Sequence, residues 1–156
     1  MKRARLRFLM SVGAAAVLAA CATMAAKSPE EAIRERQALM KEQGATMRAI
    51  QDKLKAGQVQ AIAADAEKLA GSARQISALF PPGSLDPKTS RAKPEIWQKW
   101  PEFEELVRAL ETKATRLAAT ARGGDAQATS AAVADLGKTT CGACHNTFRG
   151  PEIKKG

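Results

Sequence analysis

The chain of 156 residues contains a single histidine, His145, and no tyrosine. Its aromatic side chains are two Trp and four Phe, and its cysteines number three. A lone histidine rules out bis-histidine metal ligation within one chain. It also leaves no second imidazole for acid–base chemistry of the peroxidase kind, so an enzyme is not expected. Few aromatics, with Ala, Lys, Glu, Gln and Leu abundant, disfavour a β-sandwich and favour helix. There is no long hydrophobic run; the one apolar stretch, residues 8–20, is too short for a confident membrane span. Basic residues outnumber acidic ones by 25 to 16, a formal charge of +9, yet no basic block follows a phosphate backbone. Nucleic-acid binding is therefore not expected, although a mildly basic surface can steer toward acidic partners.

What is present is Cys141-Gly142-Ala143-Cys144-His145. C-x-x-C-H is the pattern for covalent c-type haem attachment. On a helix, residues three apart share a face, so both thiols can reach the two vinyl groups of one haem. His145 follows at once and can present a neutral imidazole to the iron as proximal ligand. A thioredoxin-like C-x-x-C wants a βαβ context, and no strand pattern surrounds this one. A structural zinc site wants four ligands, and Cys-Cys-His leaves one missing. The expectation is one covalent haem c.

The N-terminus reads as an export signal over residues 1–20. Lys2, Arg3, Arg5 and Arg7 form its positive region, and the short apolar stretch follows. Export suits the motif, because c-type haem is attached outside the cytoplasm in bacteria, and the expected location is the periplasm. Leu18-Ala19-Ala20-Cys21 resembles a lipobox, which would make Cys21 the lipidated first residue and tether the protein to a membrane. Small residues around Cys21 and Ala25 equally suit an ordinary signal peptidase, and both readings stand. Cutting before Cys21 removes the four basic residues and lowers the formal charge from +9 to +5.

Residues 21–28 read as a tether, 29–150 as one domain, and 151–156 as a basic tail. Ser28-Pro29-Glu30-Glu31 is a capping box with Pro at N1, opening a first helix from 29 to about 55. Its stripe is Ile33, Met40, Met47 and Leu54, with Ala32, Leu39 and Ile50 beside it. A second helix is expected from about 58 to 79, its inner face Val59, Ile62, Ala63, Ala66, Leu69, Ala70, Ala73, Ile76 and Leu79. Phe80-Pro81-Pro82-Gly83 ends it. A loop over 81–93 leads to a short helical turn at Pro94. A third helix follows from about 101 to 121, with Phe103, Leu106, Leu110, Ala114, Leu117 and Ala118 inward. Asp125 caps a fourth, from about 126 to 149, carrying Ala131, Val133, Ala134 and Leu136 ahead of the motif. Gly137 inside it costs ~1 kcal/mol against Ala, and a close approach of haem or a neighbouring helix would explain it. Four amphipathic helices with mostly short connections argue for an all-α, antiparallel four-helix bundle.

The chain resembles the class II c-type cytochromes, the cytochrome c′ family, over roughly residues 29–150. The matching stretches are Arg36-Gln37-Ala38-Leu39-Met40-Lys41, Phe80-Pro81-Pro82-Gly83, and Lys93-Pro94-Glu95-Ile96-Trp97 with Trp100 and Phe103. The last runs from Gly137-Lys138-Thr139-Thr140-Cys141 into Cys144-His145 and Phe148-Arg149. The resemblance implies that Cys141 and Cys144 hold the haem and that His145 is the proximal ligand. It places Arg149 beside the proximal imidazole, and Arg36 and Gln37 near the haem propionates. Family members are often dimers packed through the first two helices, and the Ala-rich outer faces would permit a homodimer.

The resemblance also implies that the residue four after Arg36 faces the distal side of the iron, and here that residue is Met40. Where the family has Leu or Phe there, the iron is five-coordinate and binds NO or CO. Where it has Met, the family includes low-spin electron carriers, which pass single electrons to redox partner proteins. Only Met40 and Met47 can supply a thioether to the domain. They stand about 10 Å apart along a helix, so one iron can take only one of them. A methionine at a heptad core position also serves as packing. The register with Arg36 favours Met40.

Overall fold

The computed structural model describes residues 27–153. The expected signal, Cys21 and the tether through residue 26 lie outside the described residues.

Ser28 caps α1 (Pro29–Lys55). Its hydroxyl accepts the Glu31 N–H at 3.2 Å, and the Glu31 carboxylate accepts the Ser28 N–H at 3.0 Å, completing the capping box. These hydrogen bonds hold the Glu31 carboxyl below its ordinary range. At the other end the Gln58 N–H reaches the Lys53 carbonyl at 2.9 Å and the Gly57 N–H reaches the Leu54 carbonyl at 3.1 Å. That pair is a Schellman motif, and it needs the left-handed backbone that Gly57 supplies at φ +70°.

α2 (Ile62–Ala73) is shorter than the expected 58–79. Its flanks wind more tightly, with i→i+3 bonds such as Ile62 N–H to Val59 O and Ile76 N–H to Ala73 O, and a 3₁₀ turn follows at Ser77–Leu79. The expected inner face survives the change, since Val59, Ile76 and Leu79 are all buried. In a 3₁₀ turn, residues three apart eclipse one another, so the spacing Ala73, Ile76, Leu79 keeps one side.

A loop then leads to the short α3 (Glu95–Gln98) and to α4 (Trp100–Arg122), with Pro101 in its first turn. Phe103, Leu110, Ala114, Leu117 and Ala118 are buried as expected, and Val107 and Ala121 join them. Leu106 is half-buried.

Asp125 caps α5 (Ala126–Leu136) through the Ala128 N–H at 2.8 Å. The run over 126–149, expected as a single helix, is interrupted. A π-helical segment, Gly137–Gly142, separates α5 from α6 (Ala143–Phe148). The local chemistry accounts for it: the Thr139 hydroxyl donates to the Asp135 carbonyl at 2.8 Å, and the Thr140 hydroxyl to the Leu136 carbonyl at 2.6 Å. Both carbonyls would otherwise serve the α-helical ladder alone, and such back-bonding loosens it. Gly137 opens this segment, and no atom of a neighbouring helix lies within 4 Å of where its Cβ would be, so the approach of a neighbouring helix does not explain it. Ala131 and Ala134, expected inward, are exposed, and the buried stripe is Thr129, Val133, Leu136 and Thr140.

Polar contacts between helices give the direction of each neighbour. Lys53 near the end of α1 pairs with Asp65 near the start of α2 at 2.5 Å. Gln60, ahead of α2, donates to the Arg122 carbonyl at the end of α4 at 3.4 Å. Lys113 of α4 pairs with Asp135 of α5 at 2.7 Å. The result is an antiparallel four-helix bundle of α1, α2, α4 and the α5–α6 run. Ile50, Ile62, Leu69, Ile96, Leu117 and Leu136 fill its core. Each such burial is worth about 1.5–3 kcal/mol. Among the described residues there is no strand, only an isolated antiparallel bridge between Ala92 and Arg149. No described helix is long and apolar enough to cross a membrane.

Candidate haem site

One end of the bundle does not close, and a cavity of about 300 Å³ lies there. α1 contributes Arg36, Gln37, Met40 and Gln43; α4 contributes Phe103, Leu106, Val107 and Leu110; the motif side contributes Thr140, Cys141, Cys144, His145, Phe148 and Arg149. All seven residues expected at the site therefore border one cavity. Met47 does not border it and packs against the core instead.

Phe80, Phe103 and Phe148 line the cavity, and Trp97 and Trp100 pack behind them. Phe103 meets Phe80 edge-on at 4.9 Å between ring centroids and Phe148 at 5.5 Å, and Trp100 lies 5.4 Å away. The Trp97 indole N–H donates to the Phe80 carbonyl at 3.0 Å, which satisfies the one polar atom of that ring. Five of the six aromatic residues thus gather at the end of the bundle that stays open.

Arg36 is only 3% exposed. Its guanidinium donates to the Leu79 carbonyl at 3.2 Å, the Ser84 hydroxyl at 2.9 Å, the Ser84 carbonyl at 2.6 Å and the Ser90 hydroxyl at 2.8 Å. It also stacks over the Phe80 ring at 4.7 Å. Every one of these partners is neutral, and burial lowers its pKa to about 10. A buried cation without a counter-charge is expensive, so an anionic group at the cavity edge would relieve it. Gln37 is exposed and donates to the Thr89 carbonyl at 2.6 Å.

On the motif side Cys141 and Cys144 are half-buried free thiols. Burial, reinforced by Cys141, pushes the Cys144 thiol up to about 11, so it is protonated at neutral pH. Burial first, then Arg149 and Arg91, lowers the pKa of His145. Its imidazole is held neutral, the form that binds a metal. The helix end carrying it is clasped from outside. The Lys93 N–H donates to the Phe148 carbonyl at 3.0 Å and the Lys93 ammonium to the Thr147 carbonyl at 2.8 Å. The Gly150 N–H reaches the Arg91 carbonyl at 2.7 Å, and Arg91 Nε returns a bond to the Gly150 carbonyl at 2.9 Å.

Sequence reasoning missed Arg91, Ser84, Ser90 and Gln43. The first three sit in a loop without periodicity, so no pattern marks them. Gln43 has a signal: Arg36, Met40 and Gln43 stand at i, i+4 and i+7, one face of a helix.

The cavity walls fit a flat, largely apolar group with anionic edges. They are mostly aromatic and aliphatic, with three arginines and no carboxylate among the lining residues. Two thiols and a neutral imidazole stand at one side. No described cluster of three or more His, Cys, Asp or Glu is arranged to hold a bare metal ion.

The sequence pattern described as Cytochrome C' matches residues 31–149. The chain belongs to the cytochrome c′ family. Cytochrome c′ of Allochromatium vinosum is 36% identical over 149 residues, spanning 90% of this chain and 92% of its own. The crystal structure of cytochrome c′ from Thermochromatium tepidum is 37% identical with a TM-score of 0.70, covering 81% of this chain and all of its own. The nitric oxide complex of a mutant cytochrome c′ from Alcaligenes xylosoxidans is 29% identical with a TM-score of 0.70. It covers 80% of this chain and 98% of its own. Cytochromes c′ are c-type haem proteins on a four-helix bundle, and this chain has the bundle, the C-x-x-C-H motif and a cavity that fits one haem c.

Proposed function

We propose that the chain is a periplasmic electron carrier whose single haem c takes His145 and Met40 as axial ligands. The observation that supports this reading is the placement of the methionines: Met40 borders the cavity with Cys141, Cys144 and His145, whereas Met47 does not. Bound haem c supplies a one-electron centre whose potential a thioether ligand raises. Cys141 and Cys144 would hold it, His145 offers the neutral imidazole, and Met40 offers the thioether. Arg36 would provide a fixed positive charge for a propionate, with Gln37 one residue on, while Arg149 acts on the His145 imidazole. Phe80, Phe103 and Phe148 would offer apolar surface to the haem ring. The reading is of a carrier that exchanges electrons with partner proteins, without catalytic turnover.

A second reading has a specific support. A relative of this chain was solved as its nitric oxide complex. If Met40 only packs, the distal side is open and the protein binds NO or CO.

The reduced holoprotein's optical spectrum separates the two. A sharp low-spin α-band unaffected by CO is expected for the carrier, and Met40→Leu converts it to a broad high-spin spectrum that responds to CO. Met47→Leu leaves the spectrum unchanged. A wild-type spectrum that is already high-spin and responds to CO overturns the carrier reading.

A further inference from the structure

The distal wall built by α1 is not uniformly apolar. Gln43 borders the cavity one turn beyond Met40, on the same helix face as Arg36. Its surroundings settle which way its amide points. The Ser72 hydroxyl spends its only hydrogen on the Leu69 carbonyl, at 2.8 Å. It can therefore only accept from Gln43, whose Nε2 lies 2.9 Å away. That contact uses one of the two amide hydrogens. The second hydrogen stays free, and among the described residues the Oε1 carbonyl accepts no hydrogen bond. Of the other polar groups of α1 at the cavity, Arg36 is held by Leu79, Ser84 and Ser90, and Gln37 donates to the Thr89 carbonyl at the exposed edge, where water can satisfy it.

We propose that Gln43 is the specificity-determining residue of the distal side: a small molecule that displaces Met40 enters beside a carboxamide locked by Ser72. The site then favours ligands that exchange hydrogen bonds with that amide, water among them, over CO, which is a poor hydrogen-bond partner. The physical basis is the cost of an unpaired polar group. A ligand that satisfies the amide replaces water without loss, whereas one that cannot leaves Nε2–H or Oε1 unpaired. This inference rests on the reading of the cavity as a haem site with Met40 on the distal side.

The test uses holoprotein and CO as the probe. Met40→Ala opens the distal side, and the reduced variant is expected to bind CO. Adding Gln43→Leu to it is expected to raise the C–O stretching frequency, because an N–H near the ligand is gone, and to raise CO affinity severalfold. Ser72→Ala on the Met40→Ala background keeps the volume of Gln43 and frees its amide. It is expected to broaden or split the same band, which keeps the inference testable if the Leu variant does not fold. A band and an affinity unchanged by either second substitution overturn the role of Gln43. A Met40→Ala protein that carries haem but shows no CO response overturns the distal placement of Met40 itself, and with it this inference.

Discussion

α1 and the run from Ala126 to Phe148 both wall the cavity, and they are built in contrasting ways. α1 is 27 residues of unbroken α-helix, with a capping box at one end and a Schellman motif at the other. The motif side is an 11-residue helix, a six-residue π segment and a six-residue helix. Local signals start and stop α1 as expected, but the buried face is Ala32, Ile33, Arg36, Leu39, Thr46 and Ile50, and Met40, Met47 and Leu54 of the expected stripe are only half-buried. The motif side holds its shape through contacts from elsewhere, above all the clasp of Arg91 and Lys93 on the carbonyls past His145. A short helix has little stability of its own, so its end must be held by tertiary contacts. Regular structure serves where a wall is needed, and an irregular segment serves where individual side chains must be aimed, as π segments often do at functional sites.

Breaking the motif side has the largest expected effect. Cys141→Ala with Cys144→Ala removes both thiols, and the mass of the exported protein is expected to lack haem altogether. Mass and optical spectrum of Met40→Leu sharpen the comparison, because covalent haem is expected to be retained while the spectrum changes.

Arg36 is the next most sensitive point, now on the α1 side. Arg36→Met keeps the apolar stem but removes the donors to Leu79, Ser84 and Ser90. Hydrogen bonds to a charged group are worth about 1.5–3 kcal/mol, so a loss of about 2–3 kcal/mol is expected in urea unfolding. A cost indistinguishable from that of an exposed α1 residue such as Arg34 would remove the loop-anchoring role.

Gly142 tests the π segment. A Cβ there would lie 3.2 Å from the Gly137 carbonyl oxygen, and backbone cannot swing aside as a side chain can. Gly142→Ala is expected to cost about 1–2 kcal/mol, in the range of overpacking. Gly137→Ala meets nothing and costs no more than a normal surface change. Equal midpoints for the two variants would sink the assignment of strain to position 142.

The smallest effect concerns pH. The hydrogen bond from Lys113, aided by that from Thr139, holds the Asp135 carboxyl below its ordinary value. A carboxylate whose pKa is depressed on folding stabilises the protein above its unfolded value, about 3.9, and that gain is lost as pH falls through the folded value. Stability of the wild type is therefore expected to fall slightly more steeply below about pH 4 than that of Asp135→Asn, read from urea midpoints. The group is exposed, so solvent screening keeps the difference small.

Legibility in the sequence follows how local each cause is. Ser28, Pro29 and Glu31 start α1, and Asp125 caps α5, because a cap needs only its own neighbours. The C-x-x-C-H motif announces haem because both thiols and the imidazole must share one short segment. The ends of α2 depart from expectation because Val59, Ile76 and Leu79 read alike on a 3₁₀ turn and on an α-helix. The π segment escapes a sequence reading because Thr139 and Thr140 look like ordinary helix residues until their hydroxyls are seen on the carbonyls of Asp135 and Leu136. Family register brings Arg36 to the cavity, but its web of serine and carbonyl partners depends on a loop some 50 residues away.

The sequence alone determined the class of the protein: helices from periodicity and caps, and haem from three residues within five positions. The tertiary structure set Met40, which the register with Arg36 had favoured, at the cavity and Met47 away from it, and it alone decided that Arg36 is buried without a counter-charge and that Gln43 stands beside Met40 with its amide fixed. The physical reason is range. Caps, periodicity and attachment motifs act through neighbours in the chain, whereas burial, charge compensation and the lining of a cavity depend on which helices meet.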